Sequence, residues 1–251
     1  MENPLQLSGK TILITGSASG IGGAIISKLI NLDAKVVLLD KDLTQCEAIA
    51  AQYQEGSVKF HYLDIEDNPS IEPAIKEMGN LFGPFHGFVF AAGIGGVKPL
   101  AFTKYPFLHN MMNANVFAFV EMVRCVTKKN MFHPGGSIVA LSSVSSVKGL
   151  KSKTAYSASK AALDASVRAL AAELGEKKIR INSIRKGWVS ADMQLDFIKD
   201  NMNLDQDDDL KNQFLGVIEP DEIANTVAFL LSDATRSITG TSLLIDGGYT
   251  L

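Results

Sequence analysis

The chain has 251 residues, of which 46% are hydrophobic and 20% charged, a balance typical of a globular protein that needs no metal or disulfide to support its core. The formal net charge of −3 argues against nucleic-acid and anionic-membrane partners, because both attract basic proteins. The N-terminal residues lack the apolar stretch of a signal peptide, and the longest apolar runs have only the length of a strand. We therefore expect a cytoplasmic protein with neither kind of partner.

The two cysteines, Cys46 and Cys125, belong to no C-x-x-C pair and have no neighbouring histidines, so they predict no zinc site. The simpler interpretation is that both are reduced thiols packed within helices, as suits a reducing compartment. We accordingly expect no bound metal.

Short apolar runs alternate along the chain with longer segments of helical periodicity. In chain order the pattern predicts strand 11–15, helix 21–31, strand 35–40, helix 43–54, strand 58–63, helix 70–82, strand 87–92, helix 107–130, strand 137–141, helix 155–175, strand 180–184, helix 221–232 and strand 242–245. Strands that are apolar on both faces and separated by helices indicate a parallel sheet covered on both sides. With right-handed crossovers, residues 1–251 are predicted to form a single α/β domain, a Rossmann-type doubly wound parallel sheet of about seven strands with helices on both faces.

The segment 190–217 breaks this rhythm. It is long, polar and methionine-bearing, and it includes the acidic run 205–209. Long insertions in compact domains are usually lids or disordered loops. Because this one follows the sixth strand, at the sheet edge where such folds bind ligands, we expect it to close over substrate. The alternative is a helical excursion that only caps the sheet.

A glycine-rich turn occupies residues 15–22, between the first strand and the first helix. Gly16 permits a tight turn, Gly20 lets backbone approach a pyrophosphate, and Gly22 lets helix and strand pack closely. The helix N-terminus presents free N–H groups and the positive end of its dipole to phosphate. In this strand–turn–helix context the pattern predicts a dinucleotide site. The predicted contacts are Gly16, Ser17, Ser19, Gly20, Ile21 and Gly22.

Asp40 closes the second strand, 18 residues after Gly22. A carboxylate at this position accepts hydrogen bonds from the ribose hydroxyls of adenosine and repels a 2′-phosphate. Ser19, which precedes Gly20, has no positive charge to hold that phosphate. These features predict a preference for NAD(H), while Lys41 could reach a 2′-phosphate and leaves NADP(H) open. A turn role for Asp40 is the alternative.

Small and acidic residues end the next two strands. Asp64 could accept a hydrogen bond from the adenine amino group, with Ile65 beside the ring, although an ordinary strand-end aspartate is the alternative. Ala91, Ala92 and Gly93 end the fourth strand, where small side chains leave room for the ribose of a cofactor.

Tyr156 and Lys160 stand four residues apart in the predicted helix 155–175, which places them on one helix face. A free tyrosine has a pKa of about 10, and a nearby ammonium stabilises its phenolate. Such a pair is a general acid/base suited to carbonyl–alcohol interconversion. Ser143 follows the fifth strand, 13 residues before Tyr156, where its hydroxyl could donate to a substrate carbonyl. Its competitors are Ser142, Ser145 and Ser146.

Over nearly its whole length the chain resembles the short-chain dehydrogenase/reductase family, whose motifs it carries in order and spacing: the glycine turn, Asp40, Asp64, Asn115, Ser143, Tyr156, Lys160 and the C-terminal residues 246–248. The resemblance implies an NAD(P)(H)-dependent oxidoreductase that interconverts a ketone and a secondary alcohol by hydride transfer. It further implies that Gly187 and Val189 contact the cofactor.

The resemblance also implies a role for each residue of the chemical end, by which we mean Asn115, Ser143, Tyr156 and Lys160. Tyr156 would be the catalytic acid/base, Lys160 would lower its pKa and hold the nicotinamide ribose, and Ser143 would orient the substrate carbonyl. Asn115 would bend its helix and anchor a water of the proton relay, with Asn113 as the rival residue.

Three positions depart from the family pattern. Phe90 and Ala91 replace two asparagines, Lys186 replaces a proline, and Ala191 replaces the threonine that bonds the nicotinamide carboxamide. Lys186 brings a mobile charge close to the nicotinamide. Together with Ala191 it favours, as the alternative function, a weakly active or non-catalytic dinucleotide-binding subunit.

The resemblance is greatest to the 3-oxoacyl-[acyl-carrier-protein] reductase branch, which implies a 3-oxoacyl thioester as substrate. A sugar or another small alcohol is the alternative. An acidic carrier protein needs a basic docking surface, and the pairs Lys128–Lys129 and Lys177–Lys178 are candidates. Lysines near helix C-termini also suit the helix dipole, which is the simpler interpretation.

Helices 107–130 and 155–175 carry more apolar surface than one sheet face requires. Relatives in the family commonly pack such helices into dimers and tetramers. We therefore expect a homo-oligomer of closed symmetry, a tetramer, with the C-terminal residues 243–251 near a subunit contact.

Overall fold

The computed structural model describes residues 3–17, 19–191 and 211–251. Within these ranges seven strands form one sheet: β1 (Thr11–Thr15), β2 (Lys35–Asp40), β3 (Val58–Tyr62), β4 (Phe85–Phe90), β5 (Phe132–Ser143), β6 (Arg180–Lys186) and β7 (Ser242–Ile245). All neighbours pair in parallel, in the order β3-β2-β1-β4-β5-β6-β7. The order reverses between β1 and β4, which opens a crevice at their carboxyl ends. The predicted doubly wound sheet is confirmed.

Helices cover both faces of this sheet: α1 (Gly20–Asn31), α2 (Leu43–Ala50), α3 (Asn68–Phe82), α4 (Tyr105–Met112), α5 (Ala118–Val126), α6 (Thr154–Leu174) and α7 (Pro220–Leu231). One core cluster joins α3, α5 and α6 to one face, and a second joins α1, α2 and α7 to the other. In β1, Leu13 belongs to the first cluster, while Ile12 and Ile14 belong to the second. Burial on both faces explains why the strand sequences are continuously apolar.

The helix expected over 107–130 ends at Val126, so its predicted C-terminal bound was wrong, and it is interrupted around Asn115, where the resemblance implied a bend. A π turn at Asn113–Phe117 separates α4 from α5, and the N–H of Ala118 bonds there to the carbonyl of Asn113. After α5 the chain turns through Asn130, whose φ is 67°, into a fifth strand that starts at Phe132 rather than 137. Hydrophobic periodicity averages over the one extra residue of a π turn, so the pattern did not reveal it.

Two other boundaries differ from the prediction. Helix α2 ends at Ala50 rather than at 54, because Gln52 and Tyr53 turn back onto the carbonyls of Ile49 and Ala50. Strand β4 occupies Phe85–Phe90 rather than 87–92. Beyond the strand, the N–H of Ile94 bonds to the side chain of Asn115 instead of to a neighbouring strand. The remaining boundaries agree within two residues.

Most of the predicted lid at 190–217 lies outside the described residues, so the lid stays a prediction. The two ends of the segment are held together. Val189 pairs with Ile218 in a parallel bridge, and the Ser190 hydroxyl donates to the Glu219 carboxylate at 2.7 Å. The segment therefore leaves and rejoins the fold at one point, beside the carboxyl end of β6.

Both cysteines are buried in helices, as predicted. Burial is the main cause that raises the pKa of the Cys125 thiol to about 11, and Glu121 adds to it. Burial also raises the pKa of Cys46. Neither thiol is therefore suited to act as a nucleophile at neutral pH. In the part of the chain that the structure describes, no helix has the length and apolarity of a membrane span.

A stacked histidine pair links the starts of β4 and β5, with the rings of His86 and His133 3.9 Å apart. The N–H of Thr11 donates to Nδ1 of His86 at 3.1 Å. Burial, with smaller contributions from His133 and Lys10, lowers the pKa of His86 to about 4. In the unfolded chain the ring regains its ordinary pKa of about 6.5.

This difference predicts a loss of stability in acid. Between pH 6.5 and 4 the His86 ring is protonated in the unfolded chain but not in the folded protein. The free energy of unfolding therefore falls as the pH drops through this window. After allowance for partial exposure, we expect His86 to contribute about 1–2 kcal/mol of this loss. The His86→Asn variant keeps an acceptor near the Nδ1 position but does not titrate, so urea unfolding across this range should show a flatter dependence. The exposed His109→Asn is the control, and an unchanged slope in His86→Asn would contradict the prediction.

Candidate active site

A cleft of about 390 Å³ opens at the carboxyl ends of β1, β2 and β4. It brings together residues that the sequence placed on three separate strand ends and on the glycine turn. Ile21 lines the adjoining cavity instead, and Val189 is fully buried in its bridge to Ile218. The predicted residues that line the cleft are Gly16, Ser19, Gly20, Asp40, Lys41, Asp64, Ile65, Ala91, Ala92 and Gly93.

Two glycines of the turn have no room for a side chain. Gly16 has a φ of +73°, and a Cβ there would lie 2.5 Å from the backbone nitrogen of Ala92. A Cβ on Gly22 would lie 2.4 Å from the carbonyl oxygen of Gly16. Ser19 caps α1 by accepting the N–H of Gly22 at 3.0 Å. The turn thus holds the start of α1 against the cleft, in the arrangement that favours phosphate.

Asp40 is held in a defined orientation at the rim of the cleft. Its carboxylate accepts the Ser17 hydroxyl at 3.2 Å and the N–H of Asp42 at 3.1 Å. Ser17 is itself fully buried, so it supports Asp40 rather than lining the cleft. The carboxylate of Asp64 accepts the N–H of Glu66 at 3.0 Å. This bond is typical of a strand-end aspartate, and Asp64 also lines the cleft, so the adenine contact stays a prediction.

A second cavity, of about 310 Å³, adjoins the cleft and shares the residues at the end of β4 with it. Tyr156, Lys160 and Ser142 line this cavity. Ser143 lines a third space of about 40 Å³, together with Tyr156, Ser145, Lys186 and Gly187. Because Tyr156 borders both spaces, its side chain lies at their boundary.

Lys160 is almost completely buried, with 5% of its surface exposed. It donates to the carbonyl of Leu141 at 2.8 Å, and its ammonium nitrogen lies 5.7 Å from the centre of the Tyr156 ring. Helix α6 places the two residues one turn apart. A buried cation at this distance stabilises a phenolate, because the surroundings screen it less than water does.

Asn115, in the π turn, ties that turn to the end of β4. Its amide group donates to the carbonyl of Ile94 and accepts the N–H of Ile94, each at 2.9 Å, and it also donates to the hydroxyl of Ser159 at 2.9 Å. A Cβ on Gly93 would lie 2.8 Å from the Asn115 amide oxygen and 3.6 Å from the Lys160 nitrogen. Asn113 instead donates to the carbonyl of Glu66, so of the two asparagines Asn115 is the one that reaches the site.

Three residues around Tyr156 and the end of β6 were not predicted from the sequence. The Lys153 ammonium lies 4.7 Å from the Trp188 ring and 6.0 Å from the Tyr156 ring. Buried Gln213 bonds both the N–H and the carbonyl of Trp188, and its side-chain oxygen would contact a Cβ on Gly187 at 2.5 Å. Trp188 is the single tryptophan of the chain, which was the one sign available in the sequence.

The lysine pairs considered for carrier docking lie far from this site. They follow the C-termini of α5 and α6, near the amino edge of the sheet. Strand β6 has seven residues, so the two edges are roughly 20 Å apart at about 3.3 Å per residue. Lys128 is paired with Glu72, and Lys177 donates to the carbonyl of Thr127. The dipole and packing interpretation of these pairs is the one that agrees with the structure.

Comparison with known proteins extends these observations. The model of the family described as enoyl-(acyl carrier protein) reductase matches residues 16–250. The chain is 31% identical to D-threitol dehydrogenase from Mycolicibacterium smegmatis, over 98% of this chain and 95% of that protein. It is 30% identical to 3-oxoacyl-[acyl-carrier-protein] reductase from Mus musculus, over 96% and 98%. A solved short-chain dehydrogenase/reductase from Serratia marcescens superimposes with a TM-score of 0.89 at 26% identity, covering 99% of this chain and 100% of that one.

These matches span nearly the whole chain, and the fold superimposes on that of the solved relative over almost the full length of both. The names of these relatives describe dehydrogenases and reductases. The chain belongs to the short-chain dehydrogenase/reductase family, the NAD(P)(H)-dependent oxidoreductases that interconvert ketones and alcohols.

Proposed function

We propose that the protein is an NAD(H)-preferring enzyme that reduces a small ketone, or oxidises the corresponding secondary alcohol, with Tyr156 as the general acid/base. The position of Tyr156, between the cavity that it shares with Lys160 and the small space beside Ser143, carries this proposal. A carbonyl placed at this boundary would meet the tyrosine hydroxyl on one side and the dinucleotide on the other.

The dinucleotide, when bound, supplies the hydride for reduction or accepts it for oxidation. The residues lining the cleft fit this group, because the glycine turn leaves its space free and the Asp40 carboxylate lines the same cleft. We assign cofactor contacts to the glycine turn, to the strand ends that line the cleft and to Tyr156, Lys160 and Gly187. Val189, whose side chain is fully buried, would contact the cofactor through its backbone.

Each polar residue of the chemical end then has a role. In reduction, the Tyr156 hydroxyl gives its proton to the carbonyl oxygen, and Lys160 stabilises the phenolate left behind. Ser143, whose oxygen is fixed by the N–H of Ser145 at 3.1 Å, donates to the same carbonyl. Asn115 holds the end of β4 against Lys160 and keeps a path for protons to return to Tyr156.

The cofactor preference is testable at Asp40. We expect NADH to bind at least about tenfold more tightly than NADPH, because the carboxylate repels a 2′-phosphate. Asp40→Ala should narrow this difference, whereas Lys41→Ala should widen it. Fluorescence titration of both cofactors in one buffer measures the ratio. Equal or tighter binding of NADPH to the unmodified protein would show that Lys41 outweighs Asp40.

We favour a small ketone or polyol over a carrier-bound 3-oxoacyl thioester as substrate. The lysine pairs that could dock a carrier lie at the opposite edge of the sheet, and the space beside Ser143 is small. Assays with NADH and a panel of sugars, diketones and acetoacetyl-coenzyme A test this choice. Turnover of the thioester alone would reverse it.

The alternative function is a dinucleotide-binding subunit of weak or no activity. Two observations favour it. Lys186 lines both spaces that border Tyr156, so it brings a charge close to the site. Ala191 lies against Gly20 of the glycine turn, where its methyl group offers no hydrogen bond to the nicotinamide carboxamide. Tight cofactor binding without turnover of any ketone in the panel would support this alternative.

We also propose that the chain assembles as a homotetramer. Val120 in α5 and Leu244 in the edge strand β7 are exposed apolar residues, which is typical of surfaces buried between subunits. Light scattering should give four times the 27.0 kDa of the chain. Val120→Arg should lower this mass, whereas Tyr62→Arg, at an exposed position on β3, should leave it unchanged. A monomer at micromolar concentration would refute the proposal.

A further inference from the structure

A cavity of about 630 Å³ lies at the amino edge of the sheet, opposite the candidate active site. The segments that precede β1, β6 and β7 and the first residues of β4 and β5 form its walls. None of them takes part in the proposed reaction. Its ionisable lining residues are Lys10, His86, His133, Lys178, Arg180, Asp233 and Arg236.

The lining is strongly basic for a protein of net charge −3. It has four cationic side chains and two imidazoles against one carboxylate, that of Asp233. Such a concentration of one charge in a concave site attracts anions. The volume is that of a site for a small molecule rather than an extended surface.

The cationic groups are held in place. Asp233 binds Lys10 at 3.0 Å and Arg236 at 3.4 Å, and this carboxylate keeps both side chains at the same wall. Buried Arg180 donates to the carbonyls of Ser232 and Ile238 at 3.1 and 3.3 Å. These contacts reduce the entropy that the side chains would lose when a ligand binds.

Lys178 is fixed through its backbone. It has a φ of 57°, its N–H bonds to the carbonyl of Gly175, and its own carbonyl accepts the N–H of Gly135, each at 2.9 Å. The left-handed conformation, uncommon for a lysine, leads the chain from the cavity wall into β6. The Cα of Lys178, from which the ammonium-bearing side chain extends, is therefore fixed at the rim of the cavity.

His86 supplies a neutral donor to this cavity. Since Nδ1 of His86 accepts the N–H of Thr11, the proton of the neutral ring is on Nε2, which makes Nε2 a donor. Ammonium, guanidinium and imidazole N–H groups together are the donors that proteins use for phosphate.

We propose that this cavity binds the phosphate group of a small phosphorylated molecule. A nucleic acid or a membrane would need an extended basic face, whereas these charges line one concave space in an acidic protein. The proposal does not depend on the oxidoreductase activity, because the two sites occupy opposite edges of the sheet.

Histidine NMR tests the site directly, because the chain has four histidines and only His86 and His133 line the cavity. Inorganic pyrophosphate is titrated at constant pH and ionic strength into protein saturated with NADH, so that the glycine turn does not compete. We expect saturable shifts of the His86 and His133 signals, while those of His61 and His109 stay unchanged. Histidine-to-asparagine variants assign the signals.

Charge-reversing variants test which side chains of the cavity bind pyrophosphate. Lys178→Glu and Arg236→Glu, both at exposed positions, should each weaken pyrophosphate binding at least about fivefold, or roughly 1 kcal/mol. Lys59→Glu makes the same charge change on the distant strand β3 and should leave binding unchanged. Equal weakening by all three variants, shifts of all four histidines together, or no saturable shift would each overturn the proposal.

Discussion

Replacing Tyr156 with phenylalanine is expected to lower turnover by at least about 10³-fold, the upper part of the range for a lost general acid/base. The substitution removes a single hydroxyl, so the ring keeps its place between the two spaces that it borders. The fold and the affinity for NADH should therefore be unchanged. Steady-state kinetics with the best ketone of the panel, and fluorescence titration of NADH, measure the two quantities.

A matched control is Tyr105→Phe, which removes a hydroxyl from an exposed tyrosine at the start of α4. It should leave both turnover and NADH affinity at the level of the unmodified enzyme. Turnover of Tyr156→Phe within tenfold of that level would rule out the acid/base role. A parallel loss of NADH affinity would instead mean that the ring holds the cofactor.

Gly16→Ala is expected to have the second large effect, on cofactor binding. The new methyl would lie 2.5 Å from the backbone nitrogen of Ala92, so the glycine turn and the end of β4 must move apart. Both line the dinucleotide cleft. We expect NADH affinity to fall by on the order of 100-fold, or roughly 2.7 kcal/mol.

Gly56→Ala separates this clash from the cost of backbone conformation. Gly56 also has a positive φ, +87°, but nothing lies within 4 Å of a Cβ there. Both variants should lose about 1 kcal/mol of stability from the left-handed backbone, and urea unfolding measures this loss. Only Gly16→Ala should lose NADH affinity. Equal NADH affinity in the two variants would show that the turn tolerates a methyl group.

Local patterns in the sequence were sufficient for the fold and for part of the site. Strands buried on both faces are continuously apolar, and helices repeat with a period near 3.6, so neighbouring residues alone reveal them. The glycine turn and the Tyr156–Lys160 pair are also local, since their members lie within eight residues along the chain. Because parallel strands end at one edge, even Asp40 and Ser143 could be assigned to that edge.

The tertiary structure decided what depends on contacts between distant segments. Asn115 was preferred over Asn113 because its amide reaches Ile94, 21 residues away. Lys128 and Lys178 became unsuitable for docking a carrier only when the sheet placed them at the edge opposite Tyr156. The basic cavity at that edge joins residues from Lys10 to Arg236. Periodicity records the neighbours of a residue along the chain, whereas such sites arise where the folded chain brings remote residues together.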